Sequence, residues 1–325
     1  MRKLASLVLV VAATLAPVLT ACTPTAPVAP PYVPLADAYP VGIRTETVYD
    51  AARGTAARWP IPAHAGRNLA TTFYYPAAAG MVSTNDQAGT APRLGNFPLV
   101  VFAHGFDVNP ATYEPFLHTV AAHGYVVAAP TFPIEGHIAG QAPAQRSSAE
   151  MVNQMYDLSA VITAVQQRAA GNTWLHGTVN AADVAVVGHS DGAMTVAGMQ
   201  LSSGYYDSRP RATVVLSGAA LDVPGGRYGI RNTVPLLIEQ ADGDPYNNPA
   251  NAQFLFDNAH GSKAYLKLTG GYHLWPLIGN NYIADLTRRA VLAHLDGQLK
   301  GSATAFWALA SVGSRPGFTS ITFAR

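Results

Sequence analysis

A single cysteine, Cys22, in 325 residues excludes any internal disulfide, so no covalent cross-link contributes to the fold. Charge is scarce as well. Only 12% of residues are charged, and 20 Lys and Arg stand against 19 Asp and Glu. Setting aside Arg2 and Lys3, which belong to the N-terminal leader, turns that excess into a deficit of one. Neither the balance nor any basic cluster provides the electrostatic footprint of a nucleic-acid binder. There is no H-E-x-x-H and no Cys/His ligand cluster, so neither a metal nor a cofactor is expected. Hydrophobic residues reach 49%, yet 29 Gly and 24 Pro interrupt them, which excludes a polytopic membrane protein.

The one long apolar run is N-terminal. Met1-Arg2-Lys3 precedes residues 4–20, nearly all apolar or small, and the run closes in Leu19-Thr20-Ala21-Cys22. A short basic start before an apolar stretch reads as a secretory signal over residues 1–21. The closing tetrad resembles a bacterial lipobox, which implies acylation of Cys22 and anchoring to a lipid membrane in the cell envelope. The alternatives are a soluble secreted protein cleaved nearby, or an uncleaved anchor of nearly spanning length. Pro17 and the Pro-rich sequence that follows weigh against the anchor. Residues 22–40 carry six prolines, in Thr23-Pro24-Thr25-Ala26-Pro27-Val28-Ala29-Pro30-Pro31-Tyr32-Val33-Pro34 and Pro40, which read as a semi-rigid polyproline tether.

Residues 41–300 read as one catalytic domain. Two alternating stretches, 44–49 and 69–75, predict antiparallel strands. From Pro98 the pattern turns regular, with strands at 99–103, 125–129, 183–187, 212–217, 234–240 and 263–268. Helices are predicted at 111–123, 147–169, 192–202, 249–258 and 282–299. Alternating strands and helices with short links imply a mostly parallel sheet covered by helices on both faces, an α/β architecture. Continuous apolar runs such as Leu99-Val100-Val101-Phe102 suit strands buried on both sides. Residues 301–325 form a C-terminal extension with a short helix at 303–310 and no evident role.

The most informative segment is Val184-Ala185-Val186-Val187-Gly188-His189-Ser190-Asp191-Gly192-Ala193. A β-branched run enters G-x-S-x-G and passes into a helix-compatible stretch, the pattern of a nucleophile elbow. A serine needs a general base, and the base needs an orienting acid. Downstream, one strand ends in Ala241-Asp242-Gly243-Asp244-Pro245 and the next in Gly270-Gly271-Tyr272-His273. Both lie just past C-terminal strand ends, where open α/β sheets collect ligands. His273 is therefore the candidate base. Asp244 is favoured over Asp242 as the acid because it lies deeper in its loop and Pro245 and Pro249 fix the chain after it. Candidate oxyanion donors are the amides of Asp191 and of Phe106, which follows Phe102-Ala103-His104-Gly105. His104 and His189 are expected nearby. Phe106, Tyr246, Trp275 and the loop at 131–145 are expected to wall the acyl pocket. Asp191 admits two readings: a carboxylate favoured by the helix dipole, or a charge that repels anionic substrates or disturbs the oxyanion.

These residues resemble the α/β-hydrolase superfamily, within it the branch of bacterial cutinases and polyester hydrolases, chlorophyllases and platelet-activating-factor acetylhydrolases. The similarity rests on Thr72-Phe73-Tyr74-Tyr75-Pro76, Val101-Phe102-Ala103-His104-Gly105-Phe106, Gly188-His189-Ser190-Asp191-Gly192, Ala241-Asp242-Gly243-Asp244 and Tyr272-His273. It implies an α/β-hydrolase fold and a Ser190–His273–Asp244 triad. In cutinase-type relatives the second Asp of an A-D-x-D stretch is the acid, and an aromatic donor follows the oxyanion-loop Gly. The chain departs from them in having Asp191 where they usually have Met, and in lacking their C-terminal disulfide. Its leader also implies a tether where they are freely secreted. The expected activity is hydrolysis of carboxylic esters of short to medium acyl chain, possible polyesters included. The alternatives are a peptidase or amidase on the same scaffold, and an inactive hydrolase fold serving as a surface-binding lipoprotein.

Overall fold

The computed structural model describes residues 35–78, 87–88, 90–220 and 234–325. The signal segment, Cys22 and the tether as far as residue 34 lie outside the described residues. Two long alternating strands, β1 (Val41–Asp50) and β2 (Arg67–Pro76), pair antiparallel along their whole length, Val41 opposite Pro76 and Asp50 opposite Arg67. A two-residue strand, β3 (Gln87–Ala88), lies parallel on the free edge of β1.

The regular part follows the expected alternation. In chain order come β4 (Phe97–Ala103), α1 (Glu114–Ala122), β5 (Val126–Thr131), α2 (Ser148–Ala170) and β6 (Val179–His189). Then come α3 (Asp191–Leu201), β7 (Pro210–Leu216), β8 (Leu236–Ala241), α4 (Pro249–Asn258) and β9 (Lys263–Leu268). The chain closes with α5 (Trp275–Ile278), α6 (Tyr282–Leu299), α7 (Ala305–Val312) and β10 (Thr319–Ala324). Among the described residues the strands form one sheet in the order β10-β9-β8-β7-β6-β4-β5-β2-β1-β3. The six from β9 to β5 run parallel to their neighbours, and β2 and β10 flank them antiparallel.

The period-2 geometry of a strand sends neighbouring residues to opposite faces. Leu99, Val101, Val184 and Val186 pack under α2, α3 and α4. Val100, Phe102, Ala185 and Val187 pack under α1 and α6. Both faces are thus apolar, and the continuous runs in the sequence are their direct consequence.

Helix starts are chemically marked. Ser147 accepts the Glu150 amide at 3.1 Å to cap α2. Asn248 accepts from Ala250 and Asn281 from Ala284, each at 2.9 Å, to cap α4 and α6. The predicted helix 111–123 is instead a short 3₁₀ turn, Pro110–Tyr113, capped by Asn109, which then gives way to α1. Pro115 lacks the N–H that a continuous helix from 111 would bond to Ala111 O, so the chain restarts there. The C-terminal extension proves to be woven into the sheet. Its α7 packs Leu309 and Val312 into the core beside α6, and β10 pairs with β9 from Thr319–Leu268 to Ala324–Lys263.

One buried ion cluster ties the antiparallel strands to α2. Arg67, fully buried at the start of β2, donates Nε to Asp157 Oδ1 at 2.8 Å and Nη2 to Asp157 Oδ2 at 2.7 Å. The same Nη2 reaches Glu150 at 3.1 Å. Removing one partner of a buried pair strands the other charge in a poor solvent for it. Arg67→Met is expected to lower unfolding free energy by about 3–5 kcal/mol, read by urea denaturation. A loss under 1 kcal/mol would show that Arg53, which also binds Asp157, suffices.

Candidate active site

The parallel strands converge on the elbow. β6 ends at His189, Ser190 makes the turn, and α3 starts at Asp191. Ser190 sits at φ 57° and ψ −122°, a conformation costly for a side-chain-bearing residue and held here by its surroundings. Its amide donates to Leu216 O and its carbonyl accepts from Met194 N, both at 3.0 Å. The flanking glycines are required by close approach. A Cβ on Gly188 would lie 2.2 Å from Gly192 O, and one on Gly192 would lie 2.1 Å from Ala103 O.

The loops after β8 and β9 bring the other two residues to the serine. His273 Nε2 is 2.8 Å from Ser190 Oγ, and its Nδ1 is 2.7 Å from Asp244 Oδ2. A carboxylate on Nδ1 places the ring proton there and leaves Nε2 to accept from the hydroxyl. Asp244 Oδ1 accepts the amides of Tyr246 and Asn247 at 2.9 Å, and Oδ2 also accepts Gln240 Nε2 at 3.1 Å. Burial opposes its charge, but the hydrogen bonds from His273 and the Asn247 and Tyr246 amides hold its pKa down at about 2. Asp242 has a different partner. Its Oδ1 accepts Gly270 N at 2.7 Å, bracing one loop against the other.

Two further histidines form a buried frame that the sequence located without assigning it a task. His189 Nε2 lies 2.9 Å from the His273 carbonyl and so carries the proton, leaving Nδ1 to accept from Tyr113 Oη at 2.8 Å. Tyr113 Oη in turn accepts the Gly105 amide at 3.0 Å. The series Gly105–Tyr113–His189–His273 thus links the loop after β4 to the loop carrying the base. His104 donates Nδ1 to Gly105 O at 2.8 Å and accepts Phe132 N on Nε2 at 3.0 Å. Burial pushes His104 down to about 4, and burial together with neighbouring His273 pushes His189 down to about 3. Both are neutral at neutral pH, as their acceptor roles demand. Tyr113→Phe leaves the Gly105 amide and His189 Nδ1 unpartnered and is expected to cost about 1–3 kcal/mol of stability, measured by thermal unfolding. An unchanged melting curve would rule the frame out as a stabilising element.

Phe106 lies in the loop after β4, and the adjacent Asp107 amide holds that loop to Glu135 O at 2.9 Å. The Asp191 amide is the first of α3, so no carbonyl of its own helix takes it. Both residues border the cavity at Ser190, a groove of about 620 Å³ also lined by Met194, Tyr246, Trp275 and Ile278. Tyr246 and Trp275 are 79% and 61% exposed, so they form its rim and are not core. Tyr272, exposed beside Trp275, joins them and was missed, because nothing in the sequence separates it from an ordinary loop tyrosine.

The loop at 131–145 does not wall this cavity. Arg58 binds the carbonyls of Pro133, Gly136 and Ala142, and Ala142 N donates to Trp59 O, so the loop is drawn toward the β1–β2 connection. Only Arg146, just beyond it, reaches the groove. Its guanidinium binds the buried Asp191 carboxylate through Nε at 2.6 Å and Nη2 at 2.8 Å. The sequence concealed this partner, since the two residues lie 45 positions apart.

The arrangement places a serine hydroxyl on one ring nitrogen of a histidine whose other nitrogen meets a carboxylate, the parts of a nucleophile, its base and an orienting acid. Comparison with known proteins agrees with the architecture. Residues 82–217 match the chlorophyllase family model, a span that takes in the loop after β4 and Ser190 but stops short of Asp244 and His273. No curated protein matches the chain. Among solved structures it is similar to a ferulic acid esterase from Streptomyces cinnamoneus, with a TM-score of 0.68 and 22% identity over 90% of this chain and 98% of that one. A fold shared with 941 solved chains does not choose a substrate, which is a property of the site. From the strand order, the elbow and these similarities together, the chain has the α/β-hydrolase fold.

Proposed function

We propose that this protein is a serine hydrolase of carboxylic esters working through an acyl-enzyme, exported and tethered to a membrane by acylated Cys22. The observation that carries the activity is the unbroken contact series Ser190–His273–Asp244 at 2.8 and 2.7 Å. The family match and the esterase neighbour favour an ester over other acyl substrates.

In this mechanism Ser190 Oγ attacks the ester carbonyl as His273 Nε2 takes its proton. Asp244 keeps the imidazole in the correct tautomer and stabilises the imidazolium. The amides of Phe106 and Asp191 receive the developing oxyanion. His273 then returns the proton to the leaving alcohol, and water repeats the cycle to release the acid. No step needs a metal or cofactor.

Among the described residues the rim of the groove is formed by the exposed rings of Tyr246, Tyr272 and Trp275, which offer flat apolar surface. Such a site suits short to medium acyl chains, or an ester displayed on a polymer. Hydrolysis of p-nitrophenyl esters from acetate to palmitate tests this. Rates should peak between acetate and octanoate and fall by about tenfold or more at palmitate, since the extra methylenes would run past an exposed rim and gain little burial. A palmitate optimum would sink the short-chain assignment. Activity confined to amides would replace esterase by amidase. The anchor is tested separately, by incorporation of a fatty-acid probe in an exporting bacterial host. Wild type should be labelled and Cys22→Ser should not.

A further inference from the structure

The amide of Asp191 belongs to the proposed oxyanion hole, yet its own side chain is an acid, 2% exposed. An ionised carboxylate on that residue opposes the negative charge its amide is meant to stabilise, and in a dry site the opposition is strong. Burial raises the pKa of Asp191, whereas the charge and hydrogen bonds of Arg146 lower it.

Arg146 meets this problem with a planar two-point grip on both carboxylate oxygens, the geometry in which guanidinium pairs best with an acid. The same guanidinium lies over Phe106, its central carbon 4.7 Å from the ring centre. One side chain therefore grips both residues whose amides are the proposed oxyanion donors. Its backbone is anchored on either side, by Gln145 N to Ile134 O at 3.1 Å and by the Ser147 cap of α2. The other ionisable groups facing this pair are Glu135, Tyr113 and His273. Glu135 is buried, and burial pushes its carboxyl up to about 7, which lessens its competition for the guanidinium.

We propose that Arg146 is a positioning residue of the oxyanion hole, cancelling the Asp191 charge and clamping the Phe106 loop to the start of α3. This rests on the ester-hydrolase reading above. It explains how an acid is tolerated directly after the nucleophile.

A double-mutant cycle on the folded protein tests it, with p-nitrophenyl butyrate as substrate and circular dichroism to verify folding. Arg146→Ala is expected to lower kcat by about 30- to 100-fold with KM changed by less than about threefold, the signature of an interaction made in the transition state. In an Asp191→Asn background, where no charge needs cancelling, the same replacement should cost only about fivefold or less, because contacting residues couple. Arg146→Lys should fall between, keeping the charge but losing the planar fork. Equal losses in both backgrounds would overturn the proposal by reducing Arg146 to packing. So would a change in KM alone, or a fully active Arg146→Ala. A wild type inert toward esters and unlabelled by a fluorophosphonate would overturn the ester-hydrolase reading and this proposal with it.

Discussion

Ser190→Ala is expected to abolish turnover of p-nitrophenyl butyrate, lowering kcat by about 10⁴-fold or more without unfolding the protein. The effect is large because the serine is the only group proposed to form the covalent bond. What remains would come from binding and from the amides of Phe106 and Asp191, which still polarise a bound carbonyl but have no nucleophile to assist. The fold should tolerate the change. The elbow is held by the Ser190 backbone, through Leu216 O and Met194 N, and by two glycines packed against backbone, none of which uses the hydroxyl. The matched measurement is labelling by a fluorophosphonate, which should mark wild type and spare the variant. Persistent labelling of the variant, or retained turnover, would move the nucleophile elsewhere and dismantle the proposed mechanism.

The second large effect separates two neighbouring aspartates. Asp244→Asn should reduce kcat by about 10³- to 10⁴-fold, since an amide at that place no longer dictates the His273 tautomer or stabilises its protonated form. Asp242→Asn should cost less than about fivefold, because its carboxylate accepts the Gly270 amide, away from His273, and an Asn side-chain carbonyl can accept the same bond. Steady-state kinetics on both variants decides the matter, and comparable losses would contradict the assignment. The pH dependence of stability carries the same distinction. The pKa of Asp244 in the fold lies at about 2, below the ordinary carboxylate value, so its contribution is complete above that ordinary value and is lost as pH falls through about 2. Asp244→Asn should remove this part of the acid sensitivity, seen as a flatter dependence of the melting temperature between about pH 4 and pH 2.

Much of this could be read from the chain because the signals were local. The expected bounds of α4, β9 and α6 coincide with the observed ones, since Asn248-Pro249 and Asn281 mark helix starts within one or two residues. The elbow announced itself because a strand, a sharp turn and a helix follow one another without interruption. Three elements escaped. β10 is a half-exposed edge strand whose alternation is weak, and its identity depends on β9 lying beside it. β3 spans two residues and α5 four, too short for any periodicity to register. The expected helix at 111–123 was divided at Pro115, which the apolar pattern had outweighed.

Within the candidate site the division is sharper. Residue order and strand ends were enough to select Ser190, His273 and the Asp242/Asp244 pair, because the parallel sheet delivers every strand's C-terminal end to one edge of the fold. Choosing between the aspartates on geometry required the loops themselves, which pack so closely that a Cβ on Gly243 would lie 2.7 Å from Gly271 O, and which set Asp244 on His273 and Asp242 on Gly270. The Gly105–Tyr113–His189–His273 series, the departure of the 131–145 loop toward Arg58 and the Arg146–Asp191 pair were all decided by tertiary structure. Each joins residues from 8 to 84 positions apart across different elements, and hydrogen bonds of that range leave no periodic trace in a single sequence. What the chain determined by itself is the alternation of buried strands and capped helices, and with it the place of the nucleophile. Which side chains surround that nucleophile, and how their charges balance, follows only from packing.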